Sequence, residues 1–81
     1  MTNELIGKFV EAQDRKGKPV TISFKQRNAI SGLFVQGKDY EELKAKNFWR
    51  IVCESKIAEW QKTGDPSLPR LFSGSDFTKL S

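Results

Sequence analysis

Basic side chains cluster in two stretches of the chain, and aromatic side chains lie beside the second, a pattern that suits an anionic ligand carrying flat bases. Aromatic rings stack on unpaired bases, and neighbouring cations hold the phosphate backbone. We therefore predict a nucleic-acid-binding surface made from two groups of residues. The first group is Arg15, Lys16, Lys18, Lys25 and Arg27, and the second is Tyr40, Lys44, Lys46 and Arg50.

Other interpretations of the same residues stay open. Phe48 and Trp49 lie within the second group, but a chain of 81 residues needs buried aromatic side chains for its core. We favour the core for both, and Trp60 has the same two interpretations. The net charge of +4 is compatible with an anionic partner, and equally with ordinary solvation of a small surface.

Catalysis and metal binding have little support in the composition. The chain has no histidine and one cysteine, Cys53, so the usual Ser-His and Cys-His pairs and the common zinc sites are excluded. Asp39, Glu41 and Glu42 are close in sequence, as solvated loop charges often are. We predict a protein that is not an enzyme and has neither cofactor nor metal.

The composition also bears on location. The N-terminal segment has no long apolar core of the signal-peptide type, and no run approaches the length of a membrane span. With a single cysteine, no disulfide within the chain is possible. We expect a cytoplasmic protein without a membrane partner.

Hydrophobic periodicity indicates the elements that would position these residues. Apolar residues at helical spacing predict a helix over 3–15, and the pattern then changes to alternation after Pro19. Val20, Ile22 and Phe24 predict the first strand, and 30–35 the second. Three further short strands are predicted at 39–44, 48–55 and 56–62. The result is a mainly β domain over 1–62 behind an N-terminal helix.

Residues 63–81 have a different character. Prolines, glycines and serines argue against regular structure there, while Leu71, Phe72 and Phe77 are too apolar for a pure linker. We predict an irregular C-terminal tail that either folds over the domain or docks on another protein.

The alternating residues carry a resemblance to a known family. Val20, Ile22 and Phe24, then Ile30, Gly32 and Phe34, followed by Asp39, resemble the first motif of the Sm-like (LSm/Hfq-type) small β-barrel family. The resemblance covers about 55 residues and implies an SH3-like (Sm-like) five-stranded bent antiparallel barrel. The family's Tyr-Lys-His pore segment is absent, because the matching place reads Cys53, Glu54, Ser55.

This resemblance implies a non-catalytic module of bacterial type that binds RNA or single-stranded nucleic acid. A protein–protein adaptor that uses the barrel edge or the apolar tail is the alternative. In such rings the fourth and fifth strands pair between subunits, which here would place Trp49, Ile51 or Trp60 at the contact. A homo-oligomer and a monomer capped by its tail both stay open.

Overall fold

The fold is an N-terminal helix followed by one five-stranded antiparallel sheet into which two further helices are inserted. A computed structural model describes residues 1–12 and 18–81. The helices are α1 (Asn3–Glu11), α2 (Tyr40–Ala45) and α3 (Glu54–Thr63). The strands are β1 (Val20–Phe24), β2 (Ile30–Phe34), β3 (Phe48–Cys53), β4 (Arg70–Ser73) and β5 (Phe77–Leu80), with a 3₁₀ helix at Gly74–Asp76. The predicted N-terminal helix, β1–β2 hairpin and strand β3 are confirmed.

The sheet is curled but does not close. Its strand order is β4-β3-β2-β1-β5, so β4 and β5 form opposite edges although they are consecutive in the sequence. Flat strands would separate these edges by about 19 Å. The 3₁₀ helix that joins them rises only about 2 Å per residue. The sheet must therefore curl. The five antiparallel strands predicted are present in number, but each edge strand has one neighbour, so the sheet is not closed into a barrel.

Each face of the sheet is covered by helices. On one face, Ile22, Ile51 and Phe77 form the core with Ile6 and Val10 of α1. Leu33 and Val52 pair across β2 and β3 and point to the opposite face because strand side chains alternate. Helix α3 packs against these two strands. Helix α1 therefore covers one face of the sheet and α3 covers the other.

Two predicted strands are helices. Residues 39–44, predicted as the third strand, are largely within α2, because glutamate, leucine and lysine favour a helix more strongly than Tyr40 favours a strand. Residues 56–62, predicted as the fifth strand, lie within α3. That helix ends at Gly64, which adopts a left-handed conformation with φ 65° and donates its N–H to the carbonyl of Trp60.

The C-terminal segment is not an irregular tail. It supplies both edge strands of the sheet, and its Phe77 and Leu80 are buried. The prolines that argued against structure, Pro66 and Pro69, precede β4 and leave its ladder intact. Strands from both sides of residue 63 therefore share one sheet.

The first helix is shorter than predicted. It ends at Glu11, since Ala12 is extended. Thr2 caps its start by accepting a hydrogen bond from the Leu5 N–H. The remaining positions of the predicted helix, 13–15, lie outside the described residues.

Candidate nucleic-acid interface

Arg27 lies over two aromatic rings at the corner where the curled sheet brings β1 and β4 together. Its guanidinium carbon is 5.1 Å from the ring centre of Phe24 and 5.9 Å from that of Phe72. Arginine over an aromatic face is attracted by the ring quadrupole and presents its own flat plane outward. A cavity of about 280 Å³ opens here. We call this site the Arg27 corner; it is lined by Phe24, Lys25, Gln26, Arg27, Phe72 and Asp76.

The fold itself positions the corner. Phe24 ends β1 and Phe72 lies on β4, with β2 and β3 between them in the sheet, yet their ring centres are 5.9 Å apart. Phe77 packs edge-on against Phe24 at 5.4 Å and supports it from the core. The Lys25 N–H donates to the carbonyl of Asp76 at 3.0 Å, which ties the β1–β2 turn to the 3₁₀ helix. Three strands, β1, β4 and β5, therefore position the aromatic rings of the corner.

The corner combines positive charge with exposure. Lys25 and Arg27 are both exposed, and neither has a carboxylate partner within ion-pair distance among residues 1–12 and 18–81. Asp76 contributes one carboxylate to the lining. Two free cations beside half-buried rings are able to take a base and a phosphate together.

The cation Arg50 is committed to an ion pair. Its Nη2 is 2.7 Å from Oδ2 of Asp39, and its Nε contacts the other carboxylate oxygen at 3.4 Å. The hydrogen bond from Arg50 holds the pKa of Asp39 below its ordinary value. A phosphate at Arg50 would have to displace this carboxylate, so Arg50 is a poor anion site.

Tyr40 and Lys44 converge on one carboxylate. The Tyr40 hydroxyl and the Lys44 ammonium each lie 2.7 Å from Oε2 of Glu11. Burial, together with the hydrogen bond to Glu11, raises the pKa of Tyr40 well above its ordinary value. The Tyr40 ring also contacts Trp49 at 5.9 Å between centres. These residues join α1 to α2 and β3, and the Tyr40 ring is not free to stack on a base.

The remaining candidates are scattered. Lys46 is exposed and pairs loosely with Glu42 at 3.7 Å. Lys18 precedes β1, at the opposite end of that strand from Lys25. Arg15 and Lys16 lie outside the described residues. Of the nine predicted residues, Lys25 and Arg27 lie together at the Arg27 corner, and Tyr40 and Lys44 lie together at Glu11.

The two aromatic residues of the corner were missed by sequence reasoning. Phe24 was assigned to a strand alone, and Phe72 to an irregular tail. Pairing them required the sheet order, which joins the C-terminal segment to the hairpin. Of the two neighbouring aromatic residues for which we favoured the core, Trp49 is buried and Phe48 is 37% exposed.

The described residues contain no group of three or more His, Cys, Asp or Glu side chains that could hold a metal ion, and none of their helices is long and apolar enough to cross a membrane. Cys53 is half-buried where β3 passes into α3.

Comparisons with known proteins add no relative. No family model, no curated protein and no solved structure matches this chain.

Proposed function

We propose that this chain is a non-catalytic module that binds single-stranded nucleic acid, RNA included, at the Arg27 corner. The observation that carries the proposal is the guanidinium of Arg27 over the rings of Phe24 and Phe72, without a carboxylate partner among the described residues. A base stacks on the outer plane of the guanidinium, and Lys25 contacts the adjoining phosphate. Stacking of this kind is worth roughly 1–3 kcal/mol per base.

We also propose that the chain is a divergent relative of the Sm-like family. The β1–β2 hairpin and the curled sheet support this, as does the close approach of β3 to Gly32. A Cβ at Gly32 would lie 2.6 Å from Cγ2 of Ile51 and 3.0 Å from the Val52 carbonyl oxygen. Cys53, Glu54 and Ser55 are the end of β3 and the start of α3, so the proposed binding does not depend on a pore segment.

Binding to short U-rich and A-rich single-stranded RNAs, measured by fluorescence anisotropy, tests the proposal. We expect Arg27→Gln to weaken binding roughly five- to a hundredfold, because it removes the stacking plane as well as the charge. Arg27→Lys keeps the charge but not the plane, and should recover only the electrostatic part.

Lys62→Gln is the matched control. It removes one charge from exposed Lys62 of α3, which packs on the face of the sheet opposite the Phe24–Phe72 rings. Repeating the titration at two salt concentrations separates the contributions, since each neutralised phosphate of a single strand adds about 0.7 to the salt slope. Equal losses for Arg27→Gln and Lys62→Gln, or no binding at low salt, would reject the Arg27 corner.

A protein–protein adaptor is the second candidate. The observation in its favour is apolar exposure at β4, where Leu71 is 54% exposed beside Phe48. The adaptor would use this edge rather than a free tail, because Phe77 and Leu80 are taken up in the core.

A further inference from the structure

One edge of the sheet carries backbone groups that face away from the molecule. The Val35 N–H donates to the Arg50 carbonyl at 2.9 Å, so the backbone groups of Arg50 point toward β2. In an antiparallel ladder, opposite residues alternate between hydrogen-bonded and non-bonded pairs. Arg50 and Leu71, which face each other across β3 and β4, are therefore a non-bonded pair. The N–H and C=O of Leu71 point outward from the sheet.

The Leu71 side chain adds an apolar contact to this edge. It is 54% exposed and lies on the same face of the sheet as Phe48, which is 37% exposed. Helix α3 packs over β2 and β3 on that face. An edge strand with outward backbone groups and an exposed leucine is a ready template for another strand.

We propose that the β4 edge pairs antiparallel with the same edge of a second copy, with Leu71 on the two-fold axis. This register brings Leu71 against its counterpart, so that their outward N–H and C=O groups form a reciprocal pair of hydrogen bonds. It also sets Arg70 opposite Phe72 of the second copy, instead of against another arginine. Ser73 then faces Pro69, whose missing N–H ends the ladder.

The β4 edge of one copy suits the β4 edge of a second copy better than it suits the second copy's β5 edge. The β5 edge presents exposed Thr78 and Lys79, and a lysine on an edge strand discourages pairing. The exposed cation of β4, Arg70, instead lies opposite Phe72 in the register above and away from the two-fold axis. Head-to-tail contact would set the exposed leucine against these polar side chains. Pairing β4 with itself makes the contact isologous, so the assembly stops at a dimer.

The dimer also extends the proposed binding site, and this part of the inference rests on the proposed function. Arg70 of each copy comes beside Phe72 of the other, and Phe72 is part of the Arg27 corner. A cation from the second copy thus joins each corner. Because this gathers positive charges, added salt should strengthen the dimer while weakening nucleic-acid binding. The opposite salt dependences separate the two proposals.

Sedimentation equilibrium of the full chain, without nucleic acid, at about 10–500 µM tests the dimer in the range expected of a small interface. We expect a weak monomer–dimer equilibrium and slower amide exchange at Leu71 as concentration rises. Leu71→Lys sets like charges on the axis and should lower the association constant at least about tenfold. Leu71→Pro removes the outward N–H, which donates no hydrogen bond to β3, and should also lower the association constant.

Thr78→Lys on β5 is the matched control and should leave association unchanged. A wild-type monomer at every concentration, with constant exchange at Leu71, would overturn the proposal and leave the β4 edge to a different protein. Assemblies larger than a dimer would overturn it as well, as would equal loss of association for Thr78→Lys and Leu71→Lys. Should Leu71→Pro fail to fold, Leu71→Lys and the wild-type exchange rates still decide.

Discussion

At the scale of single residues, Asn47 connects several elements of the fold through its hydrogen bonds. Asn47 has a left-handed backbone with φ 59°, a conformation that asparagine tolerates better than most residues. Its side-chain oxygen accepts from the Trp49 indole N–H at 2.9 Å, and its amide donates to the Met1 carbonyl at 3.1 Å. Its own carbonyl accepts the Gly74 N–H at 2.8 Å. One turn residue thereby connects the first residue of the chain, β3 and the 3₁₀ helix.

The Asp39–Arg50 pair gives a pH prediction. The pKa of Asp39 is lowered by the hydrogen bond from Arg50, so the folded protein binds the Asp39 proton less tightly than the unfolded chain. The resulting stabilisation is present above the unfolded pKa of about 3.9 and is lost as pH falls through the lower folded value. We expect Asp39→Asn to be less stable than wild type at pH 7.

Urea denaturation at a series of pH values checks this prediction, and the difference in unfolding free energy should shrink steadily below about pH 4. Glu42→Gln is a suitable control, because Glu42 contacts Lys46 only at 3.7 Å on an exposed helix face. A gap between Asp39→Asn and wild type that stays constant down to pH 2 would show that the ion pair does not stabilise the fold.

At the scale of elements, the success of the predictions followed the strength of the local pattern. Val20, Ile22 and Phe24 alternate strictly, and β1 forms at that position. Residues 56–62 contain Ile57 and Trp60, whose three-residue spacing suits a helix, and the Gly64 that ends α3 was available as a stop signal. The strand interpretation failed because it placed Ile57 and Trp60 on opposite faces of a strand, whereas a spacing of three places both on one face of a helix.

The end of α3 offers a prediction with an internal control. Gly64 has φ 65° and no atom within 4 Å of a Cβ built there, so Gly64→Ala adds backbone strain without a clash. We expect it to lower the unfolding free energy by about 1–2 kcal/mol. Gly37→Ala is the control: its Cβ would make an ordinary contact, 3.6 Å from Asp39 Oδ1, and no left-handed φ is required. Similar unfolding midpoints in urea for the two variants would contradict the prediction.

At the scale of the whole molecule, the sequence pattern could not predict which strands pair when they are far apart in the chain. The hydrophobic pattern predicted a helix and an antiparallel sheet, but it does not specify which strands are neighbours. Phe77 and Leu80 looked apolar in a segment of loop-forming residues, and their place beside β1 depends on the sheet register. The Arg27 corner was hidden for the same reason, because Phe24 and Phe72 are far apart in the sequence.

The C-terminal segment should therefore be required for folding. A chain ended after Lys62 lacks both sheet edges and exposes core residues such as Ile22, which pairs with Leu80. Fully burying a side chain such as Phe77 stabilises a protein by roughly 1.5–3 kcal/mol, a large share of the total for a small domain. We expect circular dichroism of residues 1–62 to show no cooperative thermal transition.

A matched control keeps every strand while altering the same region. Inserting a few Gly and Ser residues after Ser67, in the exposed loop between α3 and β4, lengthens the connection without removing a contact of the sheet. Because doubling a loop costs only about 0.6 kcal/mol, this variant should unfold cooperatively near the wild-type midpoint. Cooperative unfolding of residues 1–62 at the wild-type temperature would instead make residues 63–81 a separate segment, available to dock on a partner.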